Sequence, residues 1–217
     1  MLPDHRLASL YHQVQHLQKG RVAGAFVECG VWRGGSAGMV ALAAMGCEGA
    51  DRDIHLFDTF EGIPEPDGLI DGDRAVSEAR ELGVGSSGRL TANPQFYTNQ
   101  GRSFGPVQEC LNLLTEAIGY PAGLVHIHQG LFQERVPEDA EGIGPIALLH
   151  LDGDWHDSTR ICLEHLYDQV VPGGLVTIDD YGAYDGCRCA TDAFFSSRGI
   201  SPYLHRVDSE ARTFVKP

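Results

Sequence analysis

Between residues 4 and 19 the apolar positions Leu7, Leu10, Val14 and Leu17 recur at three- and four-residue spacing, which predicts an amphipathic helix ending at Gly20. The pattern then changes. Five short apolar runs, 24–30, 53–59, 124–129, 146–152 and 174–180, each end in polar residues or glycine. Stretches of helical character lie between most of them, at 36–46, 107–118 and 158–170. Strand alternating with helix predicts a parallel sheet covered on both faces. The tail differs: 203–207 and 213–215 read as two strands joined by 208–211, a hairpin closing one edge of the sheet. The segment 61–106 breaks the rhythm, being rich in Gly, Pro, Asp and Ser and poor in aliphatics. A stretch this long without clear elements is usually functional or disordered, and it is read as a lid or substrate-side insertion. The expected organisation is one domain over 1–217, with a helix in 1–20 and the insertion at 61–106 near the active site.

Composition narrows the function. Sixteen basic against thirty acidic residues give a formal charge of −14, a field that repels phosphate backbones and anionic lipid. Nucleic acid and membrane surfaces are therefore not expected as partners. No apolar run approaches the roughly 18–20 residues of a bilayer span, and the N-terminus has polar residues where a signal peptide needs its apolar block. A cytoplasmic protein is expected, with Cys29, Cys47, Cys110, Cys162, Cys187 and Cys189 reduced. The close pair Cys187 and Cys189 has no second pair to complete a zinc site. The exposed insertion and terminal helix are consistent with a homo-oligomer.

The first apolar run stops at Glu28 in V-E-C-G-V-W-R-G-G-S, with Gly30, Gly34 and Gly35 before a helix near Ser36. In a doubly wound sheet this strand–turn–helix is where a ligand meets exposed backbone N–H groups. Trp32 stands where a dinucleotide-binding G-x-G-x-x-G would place glycine. An acid ending the strand suits a cofactor with an ammonium group better than a pyrophosphate. Trp32 either covers that cofactor or fills core. Asp58 ends the second run, where a carboxylate can accept ribose hydroxyls, and Gln129 ends the third, where an amide can face an adenine edge.

Aspartates dominate the last two runs. L-H-L-D-G-D-W-H-D-S-T places Asp152 at one strand end, and V-T-I-D-D-Y-G places Asp179 and Asp180 at the next. Adjacent strands lie about 4.8 Å apart, so carboxylates at the same ends can share one cation. An all-oxygen set suits Mg²⁺, Mn²⁺ or Ca²⁺. Asp154 is the spare carboxylate, projecting to the same side as Asp152 if the chain stays extended and placed to take a proton. Asp157 or Ser158 is expected to cap the helix that follows. Trp155, His156, Tyr181 and Tyr184 either line an acceptor pocket or pack, and His126 and His128 are read as structural.

Taken in order, V-E-C-G-V-W-R-G-G-S, L-F-D-T-F-E-G-I-P, L-D-G-D-W-H-D-S-T, P-G-G-L-V-T-I-D-D-Y-G and G-C-R-C-A-T-D-A-F make the chain from about 24 to 195 resemble the macrocin O-methyltransferase family. Its members are metal- and S-adenosylmethionine-dependent enzymes that methylate sugar hydroxyls of natural products. The resemblance implies a Rossmann-like class I methyltransferase fold, a seven-stranded mostly parallel α/β sheet with a C-terminal antiparallel hairpin. It implies that Asp152, Asp179 and Asp180 hold Mg²⁺ and that Asp154 is the general base. Glu28, Gly30, Trp32, Ser36, Asp58, Gln129 and Asp152 fall on the S-adenosylmethionine side, and the partner is a small-molecule acceptor, a glycosylated natural product. Cys189 stands where a basic residue is expected, which bears on the acceptor. Lysine occurs only at Lys19 and Lys216, so the lysine base of catechol-type methyltransferases has no counterpart: its position is Trp155. A catechol or phenolic O-methyltransferase, a non-catalytic S-adenosylmethionine-binding protein and a metal-dependent hydrolase are the alternatives.

Overall fold

A computed structural model describes residues 2–47, 51–94 and 105–217. It contains the expected seven-stranded sheet, in the order β3-β2-β1-β4-β5-β7-β6. The strands are β1 (Ala25–Cys29), β2 (Ile54–Asp58), β3 (Val125–Gln129), β4 (Ile146–Leu151), β5 (Val170–Ile178), β6 (His205–Arg206) and β7 (Arg212–Val215). The first five run parallel, and β7 pairs antiparallel with both β5 and β6. Every residue of β1 and β4 is buried, as central strands covered on both faces require.

Two apolar cores flank the sheet. One packs α1 (Asp4–Lys19) and α2 (Gly35–Met45) with Cys110 of α4 (Val107–Leu111) against Phe26, Ile54, Leu56 and Leu148. The other packs α3 (Asp73–Glu81), α5 (Phe132–Ile143), α6 (His156–Leu166) and α7 (Asp185–Ser197) against Val27, Leu149, Val176 and Phe214. The chain leaves β1 toward β2 and β3, then returns to β4 on the other side of β1. That reversal opens the crevice at the carboxyl ends where open α/β sheets bind ligands.

Several boundaries depart from the sequence reading. The 107–118 stretch is α4 followed by a π-helical turn, Asn112–Ala117, and the 158–170 stretch begins earlier, at His156, and tightens into a 3₁₀ turn over Tyr167–Gln169. The fifth strand starts at Val170, not 174, and ends at Ile178. The insertion is not without elements. It carries α3, which buries Ala75 and Ala79, and two isolated bridges pair Ile63 with Asn93 and Asp67 with Ser87. Residues 95–104 of that stretch lie outside the described residues. Helices α5 and α7 were not anticipated: Pro137 and Gly142 interrupt the periodicity of one, and G-C-R-C opens the other. Neither Asp157 nor Ser158 caps α6; Asp71 of the insertion supplies its Oδ1 to the N–H of His156 at 2.7 Å. Among the described residues no helix is long and apolar enough to cross a membrane.

Candidate active site

Of the four non-glycine residues with left-handed backbones among the described residues, three lie just past the carboxyl end of a parallel strand: Trp32 after β1, Phe60 after β2 and Asp154 after β4 (φ 51°, 55° and 59°). Such residues cost about 1–2 kcal/mol each and persist where surrounding contacts hold them. Asp58 holds two. Its Oδ2 accepts the N–H groups of Val31 and Trp32 at 2.7 Å, and its Oδ1 accepts that of Phe60 at 2.7 Å. The carboxylate assigned to ribose thus also shapes the turn, its Oδ2 already accepting two N–H groups. Gln129, exposed at the end of β3, donates to the carbonyl of Thr59 at 3.2 Å.

The glycine turn is dictated by close approach. Gly30 has φ +95°, and a Cβ there would fall on the carbonyl oxygen of Asp152 and 2.7 Å from its carbonyl carbon. Gly30 N donates to Phe57 O and Asp152 N to Cys29 O, at 2.9 and 2.8 Å, so three strand ends are laced together. Glu28 lies within β1 and not at its end, and is 5% exposed. Its Oε1 accepts from Ser36 in the first turn of α2 and pairs with Nδ1 of His150 at 3.0 Å. Its Oε2 is buried without a hydrogen-bond partner among the described residues.

Asp152, Asp179 and Asp180 converge as expected. One carboxylate oxygen from each lies within 4.8 Å of the other two, and Asp179 and Asp180 are buried. Each of the three falls just past its strand's end. Burial, then the Asp179 charge, pushes the Asp152 carboxyl well above the usual range; burial, then Asp154, Asp152 and Asp179, does the same to Asp180. Carboxyls held above their usual range in this way, as those of Asp152 and Asp180 are, resist ionisation, and a hard divalent cation relieves this. The donors fit Mg²⁺.

Asp154 joins the cluster differently from the extended geometry expected. The chain turns at Gly153, and the left-handed Asp154 donates its N–H to Asp180 Oδ2 at 3.0 Å. Its charge reaches both Asp152 and Asp180. Neither lysine approaches: Lys19 ends α1, and Lys216 Nζ is bound to the carbonyls of Tyr167, Asp168 and Val170.

Of the four flanking aromatic and imidazole residues, Trp155 and Tyr184 are buried and hold the insertion down. Trp155 Nε1 donates to Pro64 O at 2.9 Å, and the Tyr184 hydroxyl to Glu78 Oε2 at 2.7 Å. Tyr181 and His156 are part-exposed beside the cluster. His126 and His128 lie on β3 away from it, in a stacked group with His55 and Phe57.

The sequence reading missed two residues here. His150 is buried mid-β4; burial opposes its charge, yet Asp179 and Glu28 outweigh this and raise its pKa well above normal. Its signal was a lone imidazole inside the apolar run I-A-L-L-H-L. Arg6 lies in the first turn of α1 and donates Nη1 to Asp179 Oδ2. The signal was its register: Arg6, Leu10, Gln13, Val14 and Leu17 form the buried stripe of that helix.

The chain matches the family model described as macrocin O-methyltransferase (TylF) over residues 1–87 and 116–216. It is 30% identical over 203 residues to the Streptomyces olivaceus 8-demethyl-8-(2,3-dimethoxy-alpha-L-rhamnosyl)-tetracenomycin-C 4'-O-methyltransferase, covering 94% of this chain and 70% of that one. It is 28% identical to the Streptomyces niveus demethyldecarbamoylnovobiocin O-methyltransferase, covering 97% of this chain and 72% of that one. Among solved structures it is similar to the O-methyltransferase NovP, with a TM-score of 0.78, 24% identity, and coverage of 98% and 79% of the two chains.

Proposed function

The chain belongs to the macrocin O-methyltransferase family, and from that premise we propose that it transfers a methyl group from S-adenosylmethionine to a sugar or diol hydroxyl of a glycosylated natural product. It is an O-methyltransferase of natural-product biosynthesis; the acceptor class, the ion and the base are the parts proposed. The observation that carries them is the convergence of Asp152, Asp179 and Asp180 with Asp154 bonded to one of the three. Asp152, Asp179 and Asp180 would hold Mg²⁺, and Asp58 and Gln129 at the ends of β2 and β3, with Glu28 inside β1 and Ser36 in the first turn of α2, would face S-adenosylmethionine, Gly30 and Trp32 forming the turn between them.

When bound, the sulfonium offers an electrophilic methyl, and the divalent ion lowers the pKa of an aliphatic hydroxyl and fixes its direction. Asp154 accepts the hydroxyl proton as the oxygen–methyl bond forms and the sulfur–methyl bond breaks. The N–H of Asp154 on Asp180 holds that base at a fixed place beside the ion-binding carboxylates. The insertion, fastened through Pro64, Asp71 and Glu78, is suited to close the acceptor side against water. Trp155 occupies the position of a catechol-type lysine, and both lysines stand elsewhere, which favours the sugar hydroxyl over the phenolic reading.

The test is Asp154→Asn, assayed with S-adenosylmethionine, Mg²⁺ and the two acceptors that the relatives' names give, demethyldecarbamoylnovobiocin and the rhamnosyl tetracenomycin. Turnover of at least one by the wild type, falling about 10²–10⁴-fold in the variant with both ligands still bound, supports the assignment. Near-normal turnover in Asp154→Asn removes Asp154 as the base.

A further inference from the structure

Arg6 has no part in the transfer just described, yet it is among the most constrained charged side chains near the site. It is 8% exposed. Its Nη1 donates to Asp179 Oδ2, its Nε to Asp208 Oδ2 at 2.6 Å and its Nη2 to Glu210 Oε2 at 2.6 Å. A planar guanidinium with all three nitrogens committed is a rigid fork, unlike an ammonium on a flexible stem.

The far side of that fork is anchored. Asp208 and Glu210 belong to the β6–β7 turn, where Asp208 Oδ1 accepts the N–H groups of Glu210 and Ala211 at 2.8 and 2.7 Å. Glu210 Oε1 is gripped in turn by Arg74 of α3 at 2.6 Å. The near side is one of the three converging carboxylates. With Oδ2 committed to Arg6, the oxygen Asp179 can offer an ion is Oδ1, which lies 3.9 Å from Nε2 of His150.

We propose that Arg6 is a positioning residue for the divalent cation, fixing the Asp179 carboxylate so that it serves as a one-oxygen ligand. The inference rests on the metal reading of Asp152, Asp179 and Asp180. Two effects of Arg6 oppose each other. Its charge repels a cation, while its fork freezes a ligand that would otherwise rotate. Arg6→Lys keeps the charge and loses the fork, so it isolates positioning.

The experiment measures Mn²⁺ binding by the paramagnetic resonance of free Mn²⁺, S-adenosylmethionine binding by calorimetry, and thermal stability, for wild type and Arg6→Lys. Positioning predicts Mn²⁺ affinity at least tenfold weaker in Arg6→Lys, with S-adenosylmethionine affinity within twofold of wild type. Unchanged Mn²⁺ affinity overturns it. So does a parallel loss of both ligands with a lowered Tm, the mark of a helix that merely supports the fold. A wild type that binds S-adenosylmethionine but no Mn²⁺ overturns the metal reading itself, and this inference with it. Should Arg6→Lys not fold, Asp208→Asn loosens the Nε anchor while keeping Arg6. About threefold weaker Mn²⁺ binding is then expected, and wild-type binding counts against the proposal.

Discussion

Replacing Gly30 by alanine puts the strand-end geometry to a quantitative test. At φ +95° an alanine is strained by about 1–2 kcal/mol. Its Cβ would overlap the backbone of Asp152, with the carbonyl carbon at 2.7 Å and the oxygen nearer still, so two strand ends must part. Overpacking of that kind costs about 1–3 kcal/mol. The sum, about 2–5 kcal/mol, is a large fraction of the roughly 5–15 kcal/mol that holds a domain folded. Urea denaturation of Gly30→Ala and of Gly35→Ala makes the comparison internal, because a Cβ on Gly35 meets nothing within 4 Å. Gly30→Ala should lose about 2–5 kcal/mol and bind Mg²⁺ more weakly, since Asp152 is the residue displaced; Gly35→Ala should lose none. A loss under about 1 kcal/mol at Gly30, with Mg²⁺ binding intact, refutes the argument that this glycine sets the position of Asp152.

Two further outcomes follow from groups outside the cluster. His55 is 8% exposed, and burial, with the neighbouring His126 and His128, lowers its pKa to about 4. The unfolded chain therefore binds the extra proton first as pH falls below about 6.5, and stability drops by about 3 kcal/mol between there and pH 4; denaturation against pH in wild type and His55→Gln should show that drop reduced in the variant, and parallel curves contradict it. Asp71→Ala strips the acceptor from the N–H groups of Asp67 and His156, and the unfolding free energy from urea denaturation should fall by about 1–3 kcal/mol; a change below about 0.5 kcal/mol shows that the insertion does not cap α6.

What was legible in the sequence was what depends on local pattern. Parallel strands covered on both faces must be short apolar runs, so β1 to β5 announced themselves, and the acids at the ends of β2, β4 and β5 marked the carboxyl edge. The period of α1 appeared intact because an amphipathic helix carries its own register. Helix α3 did not, because Ala75 and Ala79 are its buried residues and alanine contributes little to an apolar stripe. Pro137 hid α5 by interrupting its period.

The site divides the same way. Asp152, Asp154, Asp179 and Asp180 cluster because adjacent parallel strands bring their ends together, which alternation of strand and helix already implies. Arg6 and His150 reach the same carboxylates by tertiary packing, Arg6 across 173 positions of chain to Asp179, and no local spacing encodes that contact. Asp71 capping α6 from 85 residues away is another such case. The left-handed turn at Asp154 was not foreseen, because the extended alternative needs no special residue.

The central claim is a methyl-transfer site with separate places for cofactor and ion. It is tested most directly by calorimetric titration of S-adenosylmethionine and of Mg²⁺ into the wild type and into Asp179→Ala, Asp180→Ala. The account predicts that the wild type binds both ligands and that the variant keeps S-adenosylmethionine while losing Mg²⁺. A wild type that binds no S-adenosylmethionine, or a variant that binds Mg²⁺ as well as the wild type, contradicts it.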